Sequence, residues 1–86
     1  MNSNHAPTPD DYLTWFNDRV AAELKARRLA LPLSAYALAI PRKLTAETIQ
    51  NIEKGKHSPS LKTLALLCQR LETTVDVVIV AAVRRD

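Results

Sequence analysis

The sequence has little of several residue types, and each scarcity excludes a class of protein. Its 86 residues include one cysteine and two histidines, which excludes a framework of internal disulfides and leaves no cluster with the spacing of metal ligands. No apolar run is long enough to span a membrane, and the first residues lack the basic start and apolar block of a signal peptide. We therefore expect a cytoplasmic protein with no metal, no small-molecule cofactor and no membrane partner.

The remaining composition fits one small folded domain. Apolar residues make up 47% of the chain and charged residues 24%, which is enough for a core without disulfides, although the margin is thin. Residues 1–9 are polar and contain prolines. We predict a disordered tail there and a single domain over 10–86.

The net charge of +3 is unevenly distributed along the chain. Residues 25–70 carry nine Lys and Arg against two Glu, a net charge of +7, whereas residues 1–24 sum to −3 and residues 71–86 to −1. A basic centre between mildly acidic ends indicates an anionic partner for the centre. A solvated basic face without a partner would have the same composition.

The first helical pattern is long. Asp10 or Asp11 can cap it, and apolar residues then recur at spacings of three and four until about residue 29. We expect Leu13, on this stripe, to lie in the core. Trp15 points away from the stripe, so it packs either on the C-terminal apolar segment or on a second subunit.

Two shorter helices follow. Ser34 can cap the first, which runs to Ile40 because Pro41 disfavours helical geometry in the residue before it. Thr45 can cap the second, which ends just before Gly55. This only glycine of the chain supplies the left-handed conformation that closes a helix.

The last two patterns predict a fourth and a fifth helix. Ser60 can cap the fourth, whose apolar stripe starts at Leu61. The fifth covers residues 75–83 and can be capped by Thr74. Its run of β-branched residues would also suit a strand, but four preceding helices leave no partner strand within the chain. We therefore favour a helix and an all-α fold.

The joint spacing of these residues resembles a known family. The residues that carry the resemblance are Arg28, Leu33, Ser34, Leu38, Ala39, Leu44, Thr45, Ile49, Ile52, Glu53, Gly55, Pro59, Ser60, Leu61, Leu64, Leu67, Leu71, Val75 and Asp76. Their spacing over about residues 24–79 resembles, without gaps, that of the helix-turn-helix domain of phage repressors (Cro/cI, XRE-like). The resemblance implies a five-helix, lambda-repressor-like fold whose second and third helices form the helix-turn-helix, here with an extended first helix.

The resemblance also implies that the third helix, about 45–54, reads the DNA major groove. The positions that would contact base edges are Ala46, Glu47, Gln50 and Asn51. The candidates for phosphate contacts are Arg42, Lys43, Thr45, Thr48, Lys54, Lys56 and Ser58. The same residues would be typical of an ordinary solvated helix face.

Three positions carry a further implication of the resemblance. Glu53 follows Ile52 on the inward side, and its family partner is Arg28, so we predict a partly buried ion pair that clamps helix one to the end of helix three. The family's turn usually carries a glycine where this chain has Lys43. This predicts a left-handed backbone at Lys43 or a longer turn. Ala35 replaces a glutamine that usually reaches a phosphate.

We predict from these features a transcription regulator, a repressor that binds double-stranded DNA as a homodimer. The candidate residues for the dimer interface are Trp15, Val77, Val80 and Val83. The alternative is a protein-binding module on the same fold, such as an antitoxin that binds a toxin. An enzyme is disfavoured, because the sequence has no glycine-rich phosphate loop, no paired carboxylates and no nucleophile motif.

Overall fold

The computed structural model describes residues 8–85, and every regular element among them is a helix. The helices are α1 (Pro9–Ala30), α2 (Ala35–Leu38), α3 (Ala46–Glu53), α4 (Leu61–Arg70) and α5 (Val75–Val83). The predicted all-α fold is confirmed, including a helix over 75–83.

The start of α1 differs from the prediction. The hydroxyl of Thr8 accepts a hydrogen bond from the backbone N–H of Asp11 at 3.1 Å, and the Asp11 carboxylate accepts one from the N–H of Thr8 at 3.3 Å. This reciprocal pair is a capping box. Pro9 fills the first helical position, where its missing N–H has no partner to lose. The prediction that Asp10 or Asp11 is the cap is therefore wrong. Residues 1–7 of the predicted tail lie outside the described residues.

Helix α2 is short and held at both ends. It ends at Leu38, two residues before the predicted Ile40. The Ser34 hydroxyl accepts a hydrogen bond from the N–H of Ala37 at 3.1 Å, as expected of an N-cap. At the other end, Arg70 of α4 donates to the carbonyls of Ala37 and Leu38 at 2.8 and 3.3 Å. These bonds satisfy carbonyls that the helix leaves without partners.

The core lies where the helices meet around α1 and α3. Its most buried large side chains include Leu24 of α1, Ile49 of α3, Leu67 of α4 and Val78 of α5. Each contributes about 1.5–3 kcal/mol of transfer free energy when removed from water. Helix α1 packs most extensively against α5, while α2 packs on α3. The core thereby holds the apolar face of α3 and leaves its opposite face exposed to solvent.

Two apolar residues predicted to face the core are exposed instead. Leu13 is 58% exposed, because the first turns of α1 extend past the other helices. The molecule measures 48 × 22 × 18 Å, and residues 9–15 are all exposed. Leu61, the first residue of α4, is exposed as well. Periodicity identifies a helix face, but it does not tell how far the neighbouring helices reach along that face.

A buried carboxylate joins α1 to the C-terminal part of the chain. Glu23 accepts hydrogen bonds from Arg27 Nε and Arg85 Nη1, both at 2.7 Å. Arg27 Nη1 also donates to the hydroxyl of Thr73 at 3.3 Å. The network thus holds the residues that precede and follow α5 against α1, and it brings together residues that are far apart in the sequence.

The start of α5 has no side-chain cap of the predicted kind. Thr74 occupies the N-cap position, but its hydroxyl accepts no hydrogen bond from the helix backbone. A side-chain hydrogen bond with Thr74 instead lowers the pKa of the exposed carboxyl of Asp76, which lies in the first turn. A negative charge is favourable there because of the helix dipole.

Candidate nucleic-acid interface

Helix α3 presents one face to the core and one to solvent. The hydroxyl of Thr45 accepts a hydrogen bond from the N–H of Thr48 at 3.0 Å, which starts the helix as predicted. Ile49 and Ile52 are buried, and their spacing of three residues puts both on the inward side. Gly55, with a φ of +76°, follows the last turn in the left-handed conformation.

The outward face of α3 is polar and narrower than predicted. Glu47 and Gln50 are exposed, and Asn51 is half-buried. Ala46 is only 9% exposed and belongs to the core, so the prediction that it projects outward is wrong. It lies three residues before Ile49 and therefore shares the inward side of the helix. The accessible polar groups of α3 are one carboxylate, two amides and the hydroxyl of the half-buried Thr48.

The turn before α3 has its left-handed residue one position before Lys43, where a left-handed backbone or a longer turn was predicted. The N–H of Lys43 donates to the carbonyl of Ile40 at 3.0 Å, and an isolated bridge joins Ile40 to Leu44. Arg42, not Lys43, has the positive φ, at +66°. Proline at the second position and a positive φ at the third are features of a type II turn, which Pro41 favours. Arg42 therefore adopts the left-handed conformation that a glycine usually supplies in this turn.

Unpaired basic side chains flank α3 at both ends. Arg42 and Lys43 are exposed before its first turn, and Lys54 and Lys56 are exposed after its last. None of these four forms a salt bridge within residues 8–85. An eight-residue helix is roughly 12 Å long, which is about the width of the DNA major groove. The two basic clusters thus flank a helix whose length is about the width of such a groove.

Other arginines of the basic centre are engaged inside the protein. Arg27 and Arg28 form ion pairs with glutamates, and Arg70 donates to carbonyls of α2. These three arginines therefore make contacts that stabilise the fold. Six Lys and Arg residues of the basic centre remain without a salt bridge or one of these bonds within residues 8–85, and four of them flank α3. The count along the sequence does not reveal this pattern.

Two of the predicted phosphate contacts already use their hydroxyl hydrogens internally. The hydroxyl of Thr45 donates to that of Thr48 at 2.9 Å, and the hydroxyl of Ser58 donates to the side-chain oxygen of Asn17 at 3.0 Å. A hydroxyl has a single hydrogen to donate, and a phosphate oxygen only accepts. In this arrangement Thr48 keeps a hydroxyl donor for a partner, whereas Thr45 and Ser58 do not.

Arg28 and Glu53 form the predicted ion pair between α1 and the end of α3. The guanidinium donates twice to the carboxylate, from Nε at 2.8 Å and from Nη2 at 2.9 Å, and Nη1 donates to the carbonyl of Leu33 at 2.8 Å. The side chains are 14% and 6% exposed. The hydrogen bond to Glu53 raises the pKa of Arg28, since the carboxylate favours the charged guanidinium.

Sequence reasoning missed Asn17, which contacts the loop between α3 and α4. Its side-chain N–H donates to the carbonyl of Gly55 at 3.2 Å, and its oxygen accepts from Ser58. Its partners lie 38 and 41 residues further along the chain. No local pattern in α1 points to such distant partners, so no sequence signal was available to find this residue.

Exposed apolar residues on the N-terminal part of α1 and on α5 make up the second predicted surface. Trp15 is 37% exposed, and Val77, Val80 and Val83 are exposed on α5. Arg19 stands over the Trp15 ring, 5.1 Å from its centroid. Trp15 also lines a small surface cleft with Arg85, which lies two residues beyond the end of α5. Trp15 therefore lies near the residues that follow α5.

Comparison with known proteins adds a family to this geometry. Residues 41–78 match the family model described as Helix-turn-helix (HTH_3), which is XRE-type and Cro/cI-like. The match covers the turn, α3, α4 and the start of α5, and it confirms the resemblance predicted from the sequence. Searches of curated proteins and of solved structures gave no match. Domains of this family are DNA-binding parts of transcription regulators. Within residues 8–85, no helix has both the length and the apolar character to cross a membrane.

Proposed function

We propose that this chain, whose residues 41–78 match the helix-turn-helix family, is a sequence-specific DNA-binding repressor that acts as a homodimer in the cytoplasm. The observation that carries the proposal is the surface of α3. This surface combines a face able to read bases with unpaired cations at both ends. The proposal assigns no catalytic role and no cofactor to the chain.

Three side chains of α3 contact the DNA bases. Gln50 and Asn51 each carry an amide that can donate and accept together at adenine, and Glu47 can accept a hydrogen bond from cytosine N4. Asn51 is half-buried, so its rotamers are restricted before DNA arrives and less entropy is lost on binding. Ala46 takes no part in base reading, because it is buried.

Phosphate contacts supply the salt-dependent part of the affinity. Lys54 and Lys56 follow α3, and Arg42 and Lys43 precede it. Contacts of these side chains with phosphates hold both ends of α3 on the DNA. The N-terminus of α3 adds a partial positive charge and backbone N–H groups. Each neutralised phosphate releases counterions, so affinity should fall steeply as salt rises.

The dimer interface is formed by the apolar surface of α1 and α5. Trp15, Val77, Val80 and Val83 are large apolar residues that are exposed in the single chain. A stable interface removes about 800 Å² from each partner, and a two-fold axis would pair the same surface of each copy. Two recognition helices would then meet half-sites about one helical turn of DNA apart.

Selection from pooled random double-stranded DNA at two salt concentrations tests the proposal. We expect an enriched sequence whose complex weakens steeply with salt. Asn51→Ala should change the enriched sequence. Lys56→Ala should weaken all sequences about equally and lower the salt slope by about 1. Lys25→Ala, which removes an exposed lysine of α1, is the charge-matched control and should leave the slope unchanged. No DNA affinity at low salt would falsify the proposal.

A protein-binding module, such as an antitoxin that binds a toxin, is the second candidate. The exposed apolar surface on α1 and α5 favours it, since such a surface also fits a different protein. Sedimentation of the purified chain separates the two uses of this surface. A dimer at micromolar concentration that becomes a monomer on Val80→Lys supports self-association. A monomer in both cases favours a different partner.

A further inference from the structure

Asn17 joins α1 to both halves of the loop between α3 and α4. One end of its amide donates to the carbonyl of Gly55, and the other accepts from the hydroxyl of Ser58. A neutral amide is suited to this position because it donates and accepts at once, whereas a carboxylate only accepts. The two bonds connect the beginning and the end of the segment that carries Lys56.

The loop is otherwise fixed mainly at its α3 end. The N–H of Gly55 donates to the carbonyl of Ile52 at 3.0 Å, and the N–H of Lys56 donates to that of Asn51 at 2.9 Å. These are local bonds that close the helix. The bond from Ser58 to Asn17 is a long-range bond that ties the far side of the loop to another helix.

Helix α1 also approaches this loop closely. A Cβ atom at Gly55 would lie 3.0 Å from the carboxylate of Asp18 and 3.9 Å from the amide nitrogen of Asn17. The loop therefore rests directly on α1. Asn17 and Asp18 lie outside residues 41–78, so the support comes from a part of the chain that the family match does not cover.

We propose that Asn17 is a positioning residue that holds the α3–α4 loop in the conformation in which Lys56 and the loop backbone meet a DNA phosphate. The inference rests on the proposed DNA-binding function. A loop ordered before binding loses less entropy when it docks. Asn17 does not touch DNA and acts through the loop. Ser58 acts with it, because its hydroxyl hydrogen is directed at Asn17.

The test compares Asn17→Leu, which keeps the size and removes both bonds, with Thr14→Val, a matched change one turn earlier on the exposed side of α1. We expect Asn17→Leu to weaken every DNA sequence by about three- to tenfold, since part of two hydrogen bonds is lost. The enriched sequence should stay the same. Ser58→Ala should add little to Asn17→Leu, because both changes release the same loop.

Amide hydrogen exchange without DNA gives a second readout that is independent of DNA binding. In Asn17→Leu the hydrogen-bonded amides of Gly55 and Lys56 should exchange faster, while those of α3 and α4 stay protected. Unchanged exchange and unchanged affinity would overturn the inference, as would a loss of protection throughout the domain. If the unmodified protein has no affinity for DNA, the proposed function fails. The exchange experiment then decides by itself whether Asn17 holds the loop.

Discussion

Replacing Glu53 with glutamine tests whether the ion pair with Arg28 holds α3 in place. Glutamine has nearly the same shape as glutamate, but it carries no charge. Its amide NH2 group is a hydrogen-bond donor and would face the N–H donors of the guanidinium. The Glu53 side chain is 6% exposed and that of Arg28 is 14% exposed. The variant therefore leaves a nearly buried guanidinium without its counter-charge, while the bond from Nη1 to the carbonyl of Leu33 remains.

Removing one partner of a buried ion pair reduces the free energy of unfolding by roughly 3–5 kcal/mol. We expect about 3 kcal/mol here, because the Arg28 guanidinium keeps one acceptor and some access to water. A domain of this length is stable by about 4–13 kcal/mol in total. The loss should lower Tm by roughly 12–24 °C, which circular dichroism during heating can measure.

The matched control is Glu72→Gln, which removes an exposed carboxylate that forms no salt bridge within residues 8–85. Its Tm should stay within about 2–4 °C of the parent, as for most surface changes. The double change Arg28→Met with Glu53→Met should lose less stability than Glu53→Gln alone, because it leaves no charge buried. If Glu53→Gln and Glu72→Gln had the same Tm and the same DNA affinity, the role assigned to the pair would be refuted.

Three further predictions follow from single contacts. Gly55→Ala should lower the free energy of unfolding by about 1–2 kcal/mol because its φ is +76°. Combining it with Asp18→Ala should not restore the loss in urea unfolding if backbone conformation is the cause. Glu23→Gln should lose about 1–3 kcal/mol by the same assay, and its Tm deficit should shrink at high salt, because both arginine partners are partly exposed. Cys68 is 1% exposed, and burial raises the pKa of its thiol. A thiol reagent should therefore label it at the rate of unfolding, and rapid labelling of the native protein would contradict its burial.

Local signals predicted most of the helices and their ends. Ser34, Thr45 and Ser60 each accept the expected hydrogen bond at an N-cap, and Gly55 closes α3 as expected. These features depend on a few consecutive residues, whose backbone preferences act over one turn. Prediction failed where several neighbouring residues could act as the N-cap. Thr8, Asp10 and Asp11 are all suitable cap residues, and Thr8 caps α1 in the structure.

The candidate site was predictable in part. The resemblance identified α3, and Glu47, Gln50 and Asn51 lie on its accessible face or at its edge. Ala46 was misassigned to that face. By analogy with the family's glycine, a positive φ at Lys43 or a longer turn was expected, but the positive φ occurs at Arg42. Proline at the second turn position sets the turn type, and the turn type decides which residue takes the left-handed conformation.

The sequence by itself determined the helices and most of their ends, because periodicity, caps and breakers are encoded over short distances. Its resemblance to the helix-turn-helix family identified α3 as the proposed recognition helix. Only the tertiary structure decided which charges remain for a partner. Arg28 is neutralised by Glu53 and Arg27 by Glu23, whereas Lys56 is free of ion pairs within residues 8–85. The tertiary structure alone also brought Asn17 to the loop that carries Lys56. Both outcomes depend on contacts between residues far apart in the chain, and such contacts exist only once the helices are packed.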